Sequence, residues 1–557
     1  MTSPEVPPAP SPRSQWWRWV LLLILLPAIL TVALPDWRYS AADSIDAWVY
    51  HGFFRHLVTY SSVMFPGTYY GSRLGWILPG ALAYQLFPAP TAAFVLHIAF
   101  YNIAIGSLYV IVRRIAGASS AVFAAALCGF YLPAIRALGS DYVDGAVIAY
   151  ALLAVALGTS ASDKVRPWTM LGSGMAAGAM LNANIGAAFL LPSILIWFVP
   201  LTPRGWLTKS LWSQAAVWIA GIVACTLTLS AISVATGGYW DFFLQSLRWI
   251  QTQQFTNPWD VAGLAWIVAS PWVFLPLVTL LATLIAWRSW TNVPSQPGQM
   301  RAVASLGISL VVFIAWDFVG SGSLLFWPFY ASWLVPWTFI AIGAVLLRPG
   351  LHSRLEAAVL AVGTLILAVS VRSLQYWHMP GFGVGALVIT TLLVVVTALI
   401  RHAVAARLII ATVVACLNGW LQLTDYYYPK ADRIEDFAVV DRGVAIVDRY
   451  LTGFQPRFLL ASPTKLRLYV QSLTSVYLWG YTIVSPNYPE VTSAQAALIV
   501  PGATVIVIAE YADAAAHFDN VFARFGLRGV RKGSERIETK LGPLYLTFLE
   551  AKARAVS

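Results

Sequence analysis

Two pairs of carboxylates stand out in a chain that carries little charge elsewhere. Asp43 and Asp46 lie in "RYSAADSIDAWVYHGFFRHL", Arg38 to Leu57, and Asp141 and Asp144 lie in "LGSDYVDGAVIAY". Each pair has i, i+3 spacing, which puts both members on one face of a helix. Such carboxylates can cap a helix start, where the macrodipole and unpaired N–H groups favour them, or they can serve as a general base or as ligands of a divalent cation. Within the first pair Asp46 is the candidate catalytic base, because "DAWVYHGFF" sets it at the edge of an apolar, aromatic helix, a setting that strengthens a carboxylate as a base. Asp43, nearer the polar "SAADS", is the candidate to orient it or to hold a divalent cation (Mg2+, Mn2+ or Ca2+) with Asp141 or Asp144.

Two arginines offer the opposite charge. Arg73 follows Tyr69 and Tyr70 in "PGTYYGSRLGW", and Arg248 lies in "WDFFLQSLRWIQTQQ". Both segments mix aromatic and polar residues in the manner of loops at the headgroup level of a membrane. The planar guanidinium fork suits a phosphate clamp, with Tyr69 and Tyr70 beside it; interfacial snorkelling, or ion pairs with the acids above, is the other use of such residues. His51, His56 and His378 lack the spacing of a metal site and read as interfacial polar residues. "GMAAG", Gly174 to Gly178, reads as a close helix–helix contact. No glycine-rich phosphate loop occurs, so nucleotide chemistry is not expected.

The elements that position these residues are membrane spans. A chain of 557 residues that is 59% hydrophobic and 11% charged, with 25 Trp, excludes a soluble globular protein. The formal charge of +11 comes from Lys and Arg spread singly between apolar runs, which is the pattern of cytoplasmic loops and not of a nucleic-acid surface. Membrane lipids are therefore expected partners, and nucleic acid is not. Cys128, Cys225 and Cys416 all sit in apolar segments, so neither a disulfide framework nor a thiolate metal site is expected.

Apolar runs long enough to cross about 30 Å of hydrocarbon occur near residues 17–35, 91–112, 118–138, 143–160, 212–234, 263–287, 302–320, 324–346, 355–371, 383–400 and 406–424. The run 168–199 would reach roughly 48 Å as one helix and is interrupted by "LNANIG", which predicts two short helices meeting near Asn182 and Asn184. The expected fold is thus a polytopic α-helical membrane protein of about 13 transmembrane helices. Its basic loops, Arg113/Arg114, Lys164/Arg166, Arg204/Lys209, Arg288/Arg301, Arg348/Arg354 and Arg401/Arg407, then fall on the cytoplasmic side. Residues 1–16, rich in proline, form a disordered cytoplasmic N-terminus; residues 17–425 form the membrane domain, with an outer loop at 36–75. Residues 426–557 carry twelve acids and fifteen bases and alternate β-rich runs such as "ATVIVIAE" with helix-like stretches such as "DRGVAIVDRYL". They predict a small extracytoplasmic α/β domain, large enough to bury its own core.

This layout resembles the GT-C superfamily of integral-membrane glycosyltransferases, the group of protein O-mannosyltransferases, the bacterial aminoarabinose transferase and the mycobacterial arabinosyltransferases. The resemblance rests on a first outer loop with an acidic motif, Asp43 and Asp46, followed by "TYYGSRLGWILPGALAYQLF"; on a span ending in "VIVRRIAG"; on an acidic residue opening the fourth span in "GSDYVDG"; and on "LGSGMAAGAMLNANIGAAFLLP". Many mannosyltransferase-like members carry adjacent Asp-Glu in the first loop, whereas the acids here are spaced by two residues. The resemblance implies transfer of a sugar from a polyprenyl-phosphate donor, across the outer face of a bacterial inner (plasma) membrane, to a glycan, lipid or protein acceptor. It also implies an Asp base, with Arg73, Arg248, Tyr69 and Tyr70 at the donor phosphate. A flippase or transporter of lipid-linked sugar, and a noncatalytic membrane assembly subunit, are the alternatives; transporters favour repeated halves and midplane ionisable groups, while the acids here gather towards one face.

The loop charges generate a topological prediction. A reporter fused after Thr424 is expected to be active only if it works outside the cytoplasm; activity of a cytoplasm-only reporter there would remove the thirteen-span layout.

Overall fold

The computed structural model describes residues 16–33, 45–63, 69–139, 142–159, 167–198, 209–253, 271–289, 297–319, 324–347, 433–450, 457–461, 499–512 and 526–554, with isolated positions within 410–414, 466–476 and 516–523. The chain is a polytopic helical membrane protein. Helix α1 (Trp16–Val20) runs through a π turn (Leu21–Leu25) into α2 (Leu26–Ala33). The segment expected as an outer loop holds α3 (Ile45–Arg55), α4 (Leu57–Val63) and a 3-10 turn (Tyr70–Ser72) that leads directly into α5 (Leu74–Leu86). Apolar helices of varied length follow: α6 (Ala89–Ala116), α7 (Ala118–Phe130), α8 (Leu132–Leu138), α9 (Asp144–Gly158), α10 (Pro167–Ala183), α11 (Leu191–Leu195) and α12 (Lys209–Ala235). After them come α13 (Leu244–Gln253), α14 (Phe274–Ser289), α15 (Pro297–Val319), α16 (Pro328–Ala331), α17 (Val335–Ala341) and, in the C-terminal region, α18 (Arg433–Tyr450).

Among the described residues four helices are long and apolar enough to cross a membrane: Ala89–Ala116, Leu211–Ala235, Pro297–Phe318 and Phe329–Leu346. The span expected at 118–138 is a pair, α7 and α8, bent by 72°. Tyr131 is extended between them and Pro133 sits in the first turn of α8, where it can start a helix but not continue one. The break expected in 168–199 is present: α10 ends at Ala183, Asn184 is extended, and its side chain accepts the Gly186 N–H at 2.9 Å to cap a 3-10 turn (Ile185–Leu190). The spans expected at 355–371 and 383–400 lie outside the described residues, as does almost all of 406–424, so the count of thirteen rests on the sequence.

The bundle core is built by α6 against α7 and α9, α9 against α10, and α10 against α12. The last contact uses "GMAAG". A Cβ on Gly174 would collide with the Trp218 carbonyl, and one on Gly178 would meet Cys225 Cβ at 2.9 Å; their absence lets the two backbones touch. On its other side α12 exposes Ile219, Val223, Leu227 and Val234, an apolar stripe suited to lipid. Arg114, at the end of α6, donates to the Ala156 carbonyl at 2.5 Å and to Thr159 Oγ1 at 2.9 Å, beside the C-terminus of α9. Asp144 opens α9, so basic and acidic residues mark opposite ends of the same helix pair.

In the C-terminal region β1 (Arg457–Ala461), β2 (Thr504–Ala509), β3 (Leu527–Thr539) and β4 (Gly542–Ala553) form one sheet in the order β1-β2-β4-β3. β1 pairs parallel with β2, and β4 pairs antiparallel with both β2 and β3. The central strand "TVIVIA" is buried almost throughout, as expected of a strand covered on both faces. Phe437, Val440, Val444 and Val447 of α18 join Ile506, Ile508, Leu546 and Phe548 in its core, and Ala47 and Trp48 of α3 belong to the same cluster.

The α10–α12 contact yields a stability prediction. Gly174→Leu is expected to destabilise the protein by about 1–3 kcal/mol through overpacking and to lower the midpoint of thermal aggregation in detergent. Gly172→Ala, which meets only Leu157 Cδ1 at 3.4 Å, is expected to leave that midpoint unchanged.

Candidate functional site

Helix α3 places Asp46 in its first turn, and the same helical face carries Tyr50 one turn later. The 3-10 turn before α5 brings Tyr70 and Arg73 back against this face. The Tyr70 hydroxyl donates to Asp46 Oδ1. Arg73 donates through Nη1 to the Tyr50 hydroxyl and, at 3.2 Å, to the Tyr142 hydroxyl just ahead of α9. Its guanidinium also lies over the rings of Tyr69 at 4.6 Å, Tyr142 at 5.4 Å, and Tyr50 and Tyr70 at 5.8 Å. Arg73 is 5% exposed and makes no ion pair among the described residues. A buried guanidinium held only by phenol oxygens and ring faces keeps its positive charge directed at whatever anion can reach it.

The phenols around it stay protonated. Burial, then the neighbouring Tyr69 and Asp46, push Tyr70 well above the usual tyrosine range, so it remains a donor to the carboxylate. Burial likewise raises Tyr50, against the lowering effect of Arg73. On the far wall Asp144, 1% exposed, accepts the Trp333 indole N–H at 2.8 Å and lies within electrostatic reach of Arg73. Tyr330 stands within electrostatic reach of Arg73, Tyr69, Asp144 and Asp46 alike.

The fold therefore gathers Asp46, Tyr69, Tyr70, Arg73 and Asp144. Arg248 is separate: it is 60% exposed and pairs with Asp241 at 3.3 Å, although its helix α13 touches the site's edge through Ser246 and Ser72. Asp43 and Asp141 lie outside the described residues. Among the described residues no group of three or more His, Cys, Asp or Glu side chains could hold a metal ion; Asp144 is bound by the Trp333 indole. Tyr50, Tyr142, Tyr330 and Trp333 are the site residues that sequence reasoning missed. Tyr50 had a signal, its i+4 spacing from Asp46, and Tyr142 had its place inside "SDYVD". Trp333, 189 residues from Asp144, had none.

The opposite face of α3 meets the C-terminal region. Arg55 Nη1 binds Asp441 Oδ1 at 2.6 Å and Arg55 Nη2 lies 3.6 Å from Asp448; His56 Nε2 lies 3.2 Å from the same Asp448. His51, expected at an interface with water, is instead buried: its Nδ1 is 3.0 Å from the Tyr84 hydroxyl of α5, and its ring packs edge-on to Trp48 and Phe437. Burial, then the charges of Arg55 and His56, hold its pKa well below the usual histidine value. His378 lies outside the described residues.

No protein-family model and no curated protein sequence matches the chain. Among solved structures it is similar to ArnT from Cupriavidus metallidurans bound to undecaprenyl phosphate, with a TM-score of 0.54 and 15% identity over 96% of this chain and 98% of that one. ArnT from the same organism in the apo state gives a TM-score of 0.50 at 16% identity with the same coverage. AglB, the oligosaccharyltransferase of the archaeon Archaeoglobus fulgidus in complex with an inhibitory peptide and a dolichol-phosphate, gives 0.47 at 13% identity over 96% and 74% of the two chains. The likeness to ArnT is one of fold: the GT-C resemblance seen in the sequence extends to the three-dimensional arrangement.

Buried His51 generates a pH prediction. Its folded pKa lies below its unfolded value, so the unfolded state binds the extra proton and stability falls as pH drops through about 6.5. The loss is at most about 1.4 kcal/mol per pH unit for one proton. Asp441 beside it is raised by burial, an effect Arg55 opposes, and so has the reverse sign at lower pH. The thermal midpoint of wild type is therefore expected to fall more steeply between pH 7.5 and 5.5 than that of His51→Gln; equal slopes would show that His51 does not titrate in this window.

Proposed function

We propose that this GT-C-fold chain transfers a sugar from a polyprenyl-phosphate-linked donor to an acceptor hydroxyl on a glycan, lipid or protein at the outer face of the membrane, with Asp46 as the general base. The observation that carries this reading is the buried Arg73, unpaired with any acid among the described residues and set in the same tyrosine cluster as the Asp46 carboxylate. A phosphate is one of the two anions, with carboxylate, whose geometry a guanidinium fork matches. The fold shared with ArnT, whose structure holds undecaprenyl phosphate, supports a lipid-linked donor.

In this scheme the donor phosphate lies against Arg73, with Tyr69 and Tyr70 beside it. The acceptor oxygen attacks the anomeric carbon as its proton passes to Asp46, and the bond from that carbon to the phosphate oxygen breaks. The sugar carries oxocarbenium character in between, by analogy with glycoside hydrolysis. The phosphate leaves with added negative charge, which Arg73 stabilises more strongly in the transition state than in the bound donor. Tyr70 fixes the direction of the carboxylate. Arg248 contributes at the rim once its ion pair with Asp241 opens. The same reading reserves Asp43, with Asp141 or Asp144, for a divalent cation; chelation followed by addition of Mg2+, Mn2+ or Ca2+ reads that part directly. The loop charges support a cytoplasmic N-terminus, with residues 426–557 outside.

The test is incubation of purified protein with a panel of radiolabelled polyprenyl-phosphate sugars. Asp46→Asn is expected to lose about 10²–10⁴ in rate while donor binding and monodispersity stay near wild type. Arg73→Ala is expected to weaken donor use by about ten- to a hundredfold, the equivalent of a charge-assisted contact of roughly 1.5–3 kcal/mol, and Arg248→Ala by less. Full turnover in Asn variants of Asp43, Asp46, Asp141 and Asp144 alike would make the carboxylates structural and remove the mechanism.

A further inference from the structure

Helix α3 has two working faces. At about 100° per residue, Asp46, Tyr50 and Phe53 share one face, while Trp48, His51 and Arg55 share the opposite one. The first face holds the carboxylate and the tyrosine that receives Arg73. The second is matched residue for residue by α18, on which Phe437, Asp441, Val444 and Asp448 fall at i, i+4, i+7 and i+11, a single helical stripe. Trp48 stacks on Phe437 with centroids 5.7 Å apart, Arg55 reaches Asp441 and Asp448, and His56 reaches Asp448. The partners advance along both helices in the same direction, so α3 and α18 run parallel. Gly52, between the two faces, leaves room for the Val476 carbonyl and the Tyr60 hydroxyl to come against the α3 backbone. His51 closes the junction from the membrane side through Tyr84 of α5.

We infer that Asp441 and Arg55 are positioning residues: their ion pair, with the Trp48–Phe437 stack, fixes the rotation of α3 and so sets the direction of Asp46 on the other face. The inference rests on the proposed transferase reading. At 11 residues α3 is too short to hold its conformation by itself. Its orientation must come from what it packs on. A rotation of α3 about its axis that opened the Arg55–Asp441 pair would swing Asp46 away from Tyr70 by a comparable distance on the other side, and misplacement of a catalytic group by about 1 Å can cost about 10²-fold in rate. The C-terminal region thereby becomes part of the machinery without touching the substrate.

The experiment compares Asp441→Ala, Arg55→Ala and the swapped pair Arg55→Asp with Asp441→Arg, in the full-length protein, with Arg449→Ala on the exposed side of α18 as control. Steady-state transfer and backbone hydrogen exchange of residues 45–55 are measured on each. A positioning role predicts a fall of about ten- to a hundredfold in kcat with little change in donor KM, faster exchange in α3, partial recovery of both in the swapped pair, and no change in the control. Unchanged kcat in Asp441→Ala and Arg55→Ala, with faster exchange or a lowered thermal midpoint, would overturn it and leave the pair a structural contact. Unchanged exchange in α3 would overturn it as well. A wild-type protein inert with every donor is a separate result, which overturns the transferase reading itself.

Discussion

A buried guanidinium that makes no ion pair among the described residues is the constraint around which this part of the structure is arranged. Arg73 is 5% exposed, and phenols from three separate stretches of chain surround it: Tyr50 from α3, Tyr69 and Tyr70 from the turn before α5, and Tyr142 from the segment ahead of α9. Leaving a charge in such a place is costly unless its field is used or its protons are bound. The ring faces and hydroxyls bind the protons and leave the net charge in place. Such a charge suits an anion, as the proposed donor phosphate requires, and the 3-10 turn Tyr70–Ser72 that precedes Arg73 sets Tyr70 and Arg73 three residues apart, on the same side of the chain.

The carboxylates follow from that arrangement. Asp46 receives the Tyr70 hydroxyl, so the group that would accept a proton and the group that would hold a phosphate share one tyrosine cluster. Asp144, at the start of α9, is held by Trp333 and closes the far wall. A helix start is a comfortable position for an acid, and Asp144 and Asp46 each stand in the first turn of their helix.

Helix α3 joins the two parts of the molecule. It is too short to be stable alone, and its opposite faces belong to different cores: Val49, Tyr50, Phe53 and Phe54 to the membrane bundle, Ala47 and Trp48 to the C-terminal sheet and helix. Its buried His51 and its Arg55 are therefore junction residues, although from sequence His51 reads as an ordinary interfacial polar group.

The amino-acid sequence by itself determined the membrane class, the place of most described spans, the break at Asn184, the glycine contact at Gly174 and Gly178, and the proximity of Asp46, Tyr70 and Arg73, because each depends on local periodicity or on residues close along the chain. The bend between α7 and α8 was less legible, since Pro133 can open a helix as readily as kink one. Tertiary structure alone decided that Arg73 is buried with no ion pair among the described residues, that Arg248 stands apart with Asp241, that Trp333 holds Asp144 across 189 residues, and that Arg55 meets Asp441 across 386. These depend on which faces pack against each other at long range. Hydrophobic pattern states that a face is buried; only the closed fold states against what.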